Sequence, residues 1–90
     1  MNRQIKIGDL VISLAGRDKG ATLLVTQING DRATVVDGKV HKITKPKVKN
    51  PKHLKKLNAV SLTSIAVEIN GGKPVGNERL AKQIKAVKNK

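Results

Sequence analysis

The residues best suited to chemistry are the cations between Lys39 and Lys56, a stretch that contains no acidic residue. Ammonium groups in such a run neutralise phosphates and release condensed counterions, so the stretch predicts contact with nucleic acid. A merely solubilising face is the alternative, and the lack of any acid over this length disfavours it. Because of Pro46 and Pro51 we expect part of the stretch to be extended, with successive lysines beside successive phosphates. The predicted contact residues here are Lys39, Lys42, Lys45, Lys47, Lys49, Lys52, His53, Lys55 and Lys56.

The lack of aromatic residues indicates how nucleic acid would be bound. The chain has no Phe, Tyr or Trp. Single-strand binders stack bases on aromatic side chains, each worth about 1–3 kcal/mol. Lys also outnumbers Arg, the residue whose planar guanidinium reads guanine edges. The composition therefore predicts a folded or double-helical RNA, recognised by phosphate and 2′-hydroxyl geometry rather than by base sequence.

Other chemistries find little support in the sequence. Without Cys there is neither a disulfide nor a thiolate metal site. The acids nearest in sequence to His41 are Asp31 and Asp37, which turns explain better than a metal site does, so we expect satisfied or phosphate-facing histidines. Residues 71–73 lack the spacing and the hydroxyl of a phosphate-binding loop, and no serine lies in a nucleophile elbow. We predict no enzymatic activity, no metal and no cofactor.

Length and charge limit the class of protein further. Ninety residues suffice for one small domain, and a formal charge of +13 favours a polyanionic partner and opposes self-association, so we expect a monomer when free. No apolar stretch approaches the roughly 20 residues that cross a bilayer. Met1–Lys6 is not followed by the apolar block of a secretory signal. A cytoplasmic protein without a membrane partner is expected.

The first half of the chain reads as short antiparallel strands. Leu10–Ala15 alternates in the pattern of a strand with one buried face. Asn29-Gly30 and Asp37-Gly38 are typical of tight turns between antiparallel strands. Pro46 and Pro51 rule out a regular central strand across residues 45–52, which we expect to be an exposed loop. The predicted strands are Leu10–Ala15, Ala21–Ile28, Arg32–Val36 and Lys39–Thr44.

The second half indicates helices. Leu62, Ile65, Ala66 and Ile69 share one helical face with Ser61 as a possible N-cap, while the β-branched content of residues 61–69 leaves a strand open. Glycines and a proline interrupt residues 71–76. Asn77 is the predicted cap of a second helix with an apolar stripe and with lysines on its solvated side. Since this helix has no Trp or Phe anchor, packing on the protein or on a partner is favoured over a membrane surface. The stripe is Leu80, Ile84 and Val87, and the lysines are Lys82, Lys85 and Lys88.

The loop between the first two strands carries further candidates. Gly16 and Gly20 fit positions that need positive φ or close backbone approach. Arg17 and Lys19 would then project from a tight loop. From the residues alone, contact with RNA and simple exposure to water are equal alternatives.

The segment from Gly8 to Gly20, followed by an apolar run to Ile28, resembles the KOW motif. The similarity covers roughly residues 8 to 57, including Val36–Gly38 and Lys52–Leu54, and is greatest to the ribosomal branch: large-subunit proteins six-e, fourteen-e and twenty-seven-e and their small bacterial relatives. It implies a mainly β (β+α) fold, a small SH3-like barrel of about five antiparallel strands with one or two C-terminal helices. It also implies that the loop carrying Arg17 and Lys19 contacts ribosomal RNA.

Two functions are expected from these observations. The first is an RNA-binding protein associated with the ribosome, as a large-subunit component or an assembly factor, with neighbouring ribosomal proteins as possible partners. The second is a KOW protein-interaction module that acts on RNA polymerase or a translation factor. The predicted organisation is a barrel over residues 1–58 and a helical extension over residues 59–90, packed on the barrel or on a partner.

Overall fold

A five-stranded antiparallel sheet with two C-terminal helices forms the protein. The computed structural model describes residues 4–88, and for residues 58–60 it describes the backbone alone. The strands follow the order β4-β3-β2-β1-β5 across the sheet. The predicted mainly β fold, with about five antiparallel strands and two C-terminal helices, is confirmed. The elements are β1 (Asp9–Ser13), β2 (Thr22–Asn29), β3 (Arg32–Val36), β4 (Lys47–Lys49), a 3-10 turn (Pro51–His53), β5 (Leu54–Ser61), α1 (Thr63–Asn70) and α2 (Asn77–Lys88).

Both faces of the sheet are buried near its centre. One face forms a core between the strands, and both helices cover the other. Adjacent residues of one strand, such as Leu10 and Val11, therefore lie fully buried in different cores. The predicted single buried face of the first strand is wrong, because the alternation missed the layer of helices. The first core contains Val11, Leu23, Val25, Ala33, Val35 and Leu54, and the second contains Leu10, Leu24, Val36, Ile65, Ala66, Val75, Leu80 and Ile84.

The turns between β1, β2 and β3 use glycine where the backbone requires it. Gly16 and Gly20 both have φ of +90°, as their spacing predicted. The Gly20 amide donates to the carbonyl of Ser13, which closes the β1–β2 loop. In the β2–β3 hairpin Asn29 pairs with Arg32, so the turn residues are Gly30 and Asp31, one position later than predicted.

The predicted strand at Lys39–Thr44 is wrong, and the chain there is irregular. The Asp37 carboxylate accepts hydrogen bonds from the amides of Lys39 and His41 at 2.9 and 2.8 Å. The side-chain oxygen of Asn77 accepts the Ile43 amide at 2.8 Å. These amides are therefore not available to a β-ladder.

The fourth strand instead lies inside the stretch that was expected to be an exposed loop. β4 pairs with β3 and stands at the edge of the sheet, between Pro46 and Pro51. Prolines exclude central strands but tolerate an edge. The 3-10 turn follows at once, with the Asn50 side chain accepting the Lys52 amide at 3.0 Å. Residues 45–52 therefore form an edge strand and a turn rather than an extended loop.

The open choice for residues 61–69 is settled in favour of a helix from Thr63. Ser61 ends β5, so the predicted Ser61 cap is wrong, and Leu62 occupies the cap position without a side-chain hydrogen bond. Asn77 is the first residue of α2 rather than its cap, and its side chain links this helix to Ile43. No helix within residues 4–88 is long and apolar enough to span a bilayer.

The helices and the sheet share one core. β5 runs to Ser61 and passes through the boundary predicted at residue 58. Ile65 and Ala66 of α1 and Leu80 of α2 pack against Leu24 of β2. The C-terminal helices are therefore packed on the sheet itself.

Candidate nucleic-acid interface

A buried carboxylate, Asp18, joins three segments next to the β1–β2 loop. Ser13 Oγ donates to Asp18 Oδ1 at 2.7 Å, and Lys49 Nζ donates to the same oxygen at 2.7 Å. His41 Nε2 lies 2.7 Å from Oδ2 and acts as a donor, since an ionised carboxylate only accepts. We name this group, Ser13, Asp18, His41 and Lys49, the Asp18 cluster. It ties the β1–β2 loop to β4 and to the irregular chain after β3.

Asp18 stays charged despite its burial. Its side chain is 4% exposed, and desolvation by itself raises the pKa of a carboxyl group. The hydrogen bonds from Lys49, Ser13 and His41 outweigh that effect and hold the pKa of Asp18 well below its usual range. Asp18 is therefore ionised near neutral pH and forms a stable ion pair with Lys49.

One predicted contact residue, Lys49, is bound inside the protein by the Asp18 cluster. The Lys49 side chain is 10% exposed, and its ammonium also donates to the Ala15 carbonyl at 3.1 Å. Its hydrogen bonds thus point into the protein, and it does not present its charge to a ligand. His41 is likewise satisfied internally, by an acid distant in sequence that the sequence analysis did not associate with it.

A second lysine is partly engaged in the fold. Lys56 Nζ lies 3.5 Å from Asp9 Oδ2, and its side chain is about one-third exposed. Asp9 also accepts the Lys6 amide at 2.7 Å, which fixes the carboxylate at the start of β1. Lys56 can therefore reach a ligand only in competition with Asp9.

The other predicted contact residues are exposed, but they do not follow one extended chain. Those between Lys39 and Lys55 lie on the irregular segment after β3, on β4, in the 3-10 turn and at the start of β5, and of these the strands are extended. The exposed set is Arg17 and Lys19 in the β1–β2 loop, Lys39, Lys42 and Lys45 after β3, Lys47 on β4, Lys52 and His53 in the 3-10 turn, and Lys55 on β5.

Several of these residues border one groove. The groove lies between the start of the β1–β2 loop and β4 with its 3-10 turn, and it encloses about 320 Å³. Arg17 and Lys52 are the chain neighbours of the lining residues Gly16 and His53, and both are exposed. We name it the β4 groove. Its lining is Ala15, Gly16, Lys47, Val48, Lys49, Asn50 and His53.

The acidic residues leave the rim of the β4 groove unopposed. Asp9 and Asp18 bind lysines inside the fold, and Asp31 and Glu68 pair with arginines elsewhere. Asp37 binds backbone amides. Within residues 4–88, Arg17, Lys47 and Lys52 have no acidic partner within 4.0 Å, so the groove has a positive rim.

The structure contains a second basic concavity that was not predicted from the sequence. It lies between α2 and the turn after β3, encloses about 330 Å³, and is named here the α2 cleft. Lys85 and Lys88, expected on the solvated side of the helix, line it opposite Lys39. The spacing of Ala81, Ile84, Lys85 and Lys88 places them on one helical face, a signal that could have revealed it. The full lining is Ala21, Thr22, Asp37, Lys39, Ala81, Ile84, Lys85 and Lys88.

The search for a metal site and the comparisons with protein families and curated proteins do not indicate a function. Within the described part of the chain no three His, Asp or Glu side chains are grouped so as to hold a metal ion. No protein-family model matches the sequence, and comparison with curated proteins finds no significant match. The resemblance to the KOW motif thus stays a prediction. The features that bear on function are the shape and the positive charge of the β4 groove and the α2 cleft.

Proposed function

We propose that the protein binds structured RNA through phosphate contacts, and that its target is ribosomal RNA of the large subunit. The observation that carries the proposal is the positive rim of the β4 groove. Lys47 lines the groove, Arg17 and Lys52 directly neighbour its lining residues in the chain, and all three are exposed without an acidic partner among the described residues. Cations placed around a groove can contact several phosphates of one backbone at once. Each contact releases counterions and adds to affinity.

The groove is preorganised, which favours binding. The positive φ of Gly16 and Gly20 sets the path of the β1–β2 loop, and the Asp18 cluster holds that loop to β4. A loop ordered by the fold loses little conformational entropy when it meets a ligand. Lys49 supports this arrangement as a positioning residue and is not itself a contact residue.

The amino-acid composition and the resemblance to KOW proteins indicate which kind of RNA is the proposed target. The chain contains no aromatic side chain on which unpaired bases could stack. Phosphate contacts by lysine suit the regular backbone of a folded RNA. The resemblance of residues 8 to 57 to ribosomal KOW proteins supports ribosomal RNA, with the protein as a subunit component or an assembly factor.

One observation favours the alternative, a module that binds RNA polymerase or a translation factor. The edge strand β4 leaves Val48 half exposed in a groove that it lines with Ile43, Pro46 and Ile69 and with polar residues of β2, β3 and α1. A partner strand or an aliphatic side chain could pack there. The RNA proposal is preferred because the unpaired charge is far more extensive than this aliphatic surface.

Sedimentation of the tagged protein from native lysate tests the proposal. We expect it to migrate with the large subunit at low and moderate salt, and to move to the top of the gradient after nuclease treatment. Migration at the top under every condition would contradict the ribosomal proposal. Migration with another complex that resists nuclease would favour the protein-interaction module.

A further inference from the structure

We propose that the α2 cleft is a second binding site for a phosphodiester of the same RNA, with Lys39, Lys85 and Lys88 as the phosphate ligands. This inference depends on the proposed function and extends it to an element, α2, to which the sequence assigned only packing. It also predicts that the RNA backbone is held at both ends of the β1–β2 loop.

The shape of the cleft comes from small side chains between longer ones. Ala21 and Ala81 contribute small side chains to its lining, and the nearly buried Ile84 adds an aliphatic surface. Lys39 borders one side, and Lys85 and Lys88 border the other. A sugar could pack on the small aliphatic surface while its phosphate lies between the ammonium groups. The nearly buried hydroxyl of Thr22, part of the same lining, can donate to a phosphate oxygen.

The net charge of the cleft is positive even when the one carboxylate in its lining is included. Asp37 is this carboxylate, and its Oδ1 accepts hydrogen bonds from two backbone amides, whose dipoles partly compensate its negative charge. No salt bridge within the described residues involves Lys39, Lys85 or Lys88. The C-terminal end of α2 adds a partial negative charge of about one half. The lysines exceed the sum of these negative charges.

The two walls are held together by backbone contacts rather than by their lysines. Gly38 has φ of +80°, and a Cβ at this position would overlap the backbone carbonyl of Asn77 in the first turn of α2. The hydrogen bond between the Asn77 side chain and the Ile43 amide lies beside this contact. The cleft is therefore present before any ligand binds, and its lysines are free of a structural role.

The position of the cleft suits a continuous RNA backbone. The β1–β2 loop begins at Ala15 and Gly16, which line the β4 groove, and ends at Ala21 and Thr22, which line the α2 cleft. Arg17 and Lys19 are exposed on the loop between them. Basic surface thus extends from one concavity to the other across the loop.

Substitution of the helix lysines tests the inference. The variant Lys85→Gln/Lys88→Gln is compared with the control Lys73→Gln/Lys82→Gln, which removes the same charge at exposed positions outside both concavities. The affinity for an RNA hairpin of about two helical turns is measured across a range of KCl concentrations. We expect the cleft variant to lower the log–log salt slope by between about 1 and 2, and to weaken binding about tenfold at low salt. The control should lose no more than about threefold, through long-range charge alone.

A third variant separates failure of the inference from failure of the proposed function. Lys47→Gln/Lys52→Gln removes the same charge at the β4 groove. If this variant loses affinity while the cleft variant matches the control, the α2 cleft is not a binding site and the proposed function stands. If the unaltered protein does not bind the hairpin, or if all three variants behave alike, the proposed function fails and the inference fails with it.

Amide NMR distinguishes RNA from a small phosphate as the ligand. We expect the amides of Thr22 and Ala81 to shift on addition of the hairpin and to stay in place with the same concentration of inorganic phosphate. Saturable shifts with inorganic phosphate and none with the hairpin would overturn RNA as the ligand of the cleft.

Discussion

The Asp18 cluster and the α2 cleft both place lysines near a carboxylate, with opposite results. In the cluster, the Lys49 ammonium donates directly to Asp18 at 2.7 Å, and both side chains are almost fully buried. In the cleft, Asp37 binds the backbone amides of its own turn, and no lysine ammonium lies within 4.0 Å of its carboxylate oxygens among the described residues. The partner of each carboxylate therefore decides whether the neighbouring lysines stabilise the fold or face a ligand.

This contrast limits what a net charge of +13 can tell about a binding surface. Lys49 and Lys56 belong to the same run of cations as Lys47 and Lys52, yet they contact Asp18 and Asp9 inside the protein. The available cations are those for which the fold provides no acid.

Removal of Asp18 should have the largest effect on stability. Asp18→Ala leaves the nearly buried Lys49 ammonium without its carboxylate, and Ser13 Oγ keeps only the Ala15 carbonyl as an acceptor. Loss of one member of a buried ion pair costs about 3 kcal/mol. The exposed Asp31, whose side chain is 81% accessible, supplies the control, since Asp31→Ala should change stability by less than about 0.5 kcal/mol. Urea denaturation followed by circular dichroism measures both. Equal effects of the two substitutions would contradict a structural role for Asp18.

The stabilisation that the Asp18 charge provides has a distinct acid dependence. Because folding lowers the pKa of Asp18 from its usual value of 3.8, the unfolded chain binds a proton more readily than the folded protein does below that pH. The stabilisation is therefore complete well above pH 3.8 and is lost as the pH falls below it, by at most about 1.4 kcal/mol per pH unit. The stability difference between the unaltered protein and Asp18→Asn should shrink from pH 5 toward pH 2. A difference that stays constant over this range would show that Asp18 has no depressed pKa.

Gly38 tests the wall of the α2 cleft. Gly38→Ala introduces a Cβ that overlaps the Asn77 carbonyl at a residue with positive φ, so we expect a loss of about 2 kcal/mol from strain and displacement. Gly30→Ala is the matched control, because Gly30 also has positive φ but has open space around it, and it should cost only about 1 kcal/mol. Thermal unfolding compares the two. A larger loss for the Gly30 variant would show that Gly38 does not hold the turn against α2.

The neighbouring lysines of β4 should show the smallest but most specific difference. Lys47→Gln removes an exposed charge, so stability should hold within about 0.5 kcal/mol while the salt slope of RNA binding falls by about 0.7–0.9. Lys49→Gln replaces the Asp18 partner, so stability should fall by about 1–2 kcal/mol with the salt slope nearly unchanged. Reversal of the two results would place Lys49 in contact with RNA and remove it from the fold.

Much of the local structure could be predicted from the sequence. Three of the strands follow from apolar runs bounded by glycine-containing turns, and Arg32–Val36 matches the structure at both ends. The positive φ of Gly16 and Gly20 followed from their spacing, and the two C-terminal helices from their apolar stripes. These features depend on short-range periodicity and on backbone sterics, which neighbouring residues determine.

The features that position the candidate site could not be predicted in this way. The fourth strand lies later than predicted because the amides of Lys39, His41 and Ile43 bind side chains. The first two bind Asp37, and the third binds Asn77, which lies 34 residues beyond Ile43. Both faces of β1 are buried because the helices pack on the side that the strand pattern alone left open to solvent. Such long-range contacts leave no local periodicity to read.

The charged residues show the same difference between properties that local sequence determines and properties that long-range contacts determine. The sequence by itself determined that the chain is a strongly basic, aromatic-free, mainly β protein with one or two C-terminal helices, since composition and local pattern suffice for those properties. Only the tertiary structure decided that Lys49 is held by Asp18, 31 residues away in the chain, and that Lys85 and Lys88 lie opposite Lys39. Pairing of a cation depends on which groups come within a few ångströms, and that distance is set by the folding of the whole chain.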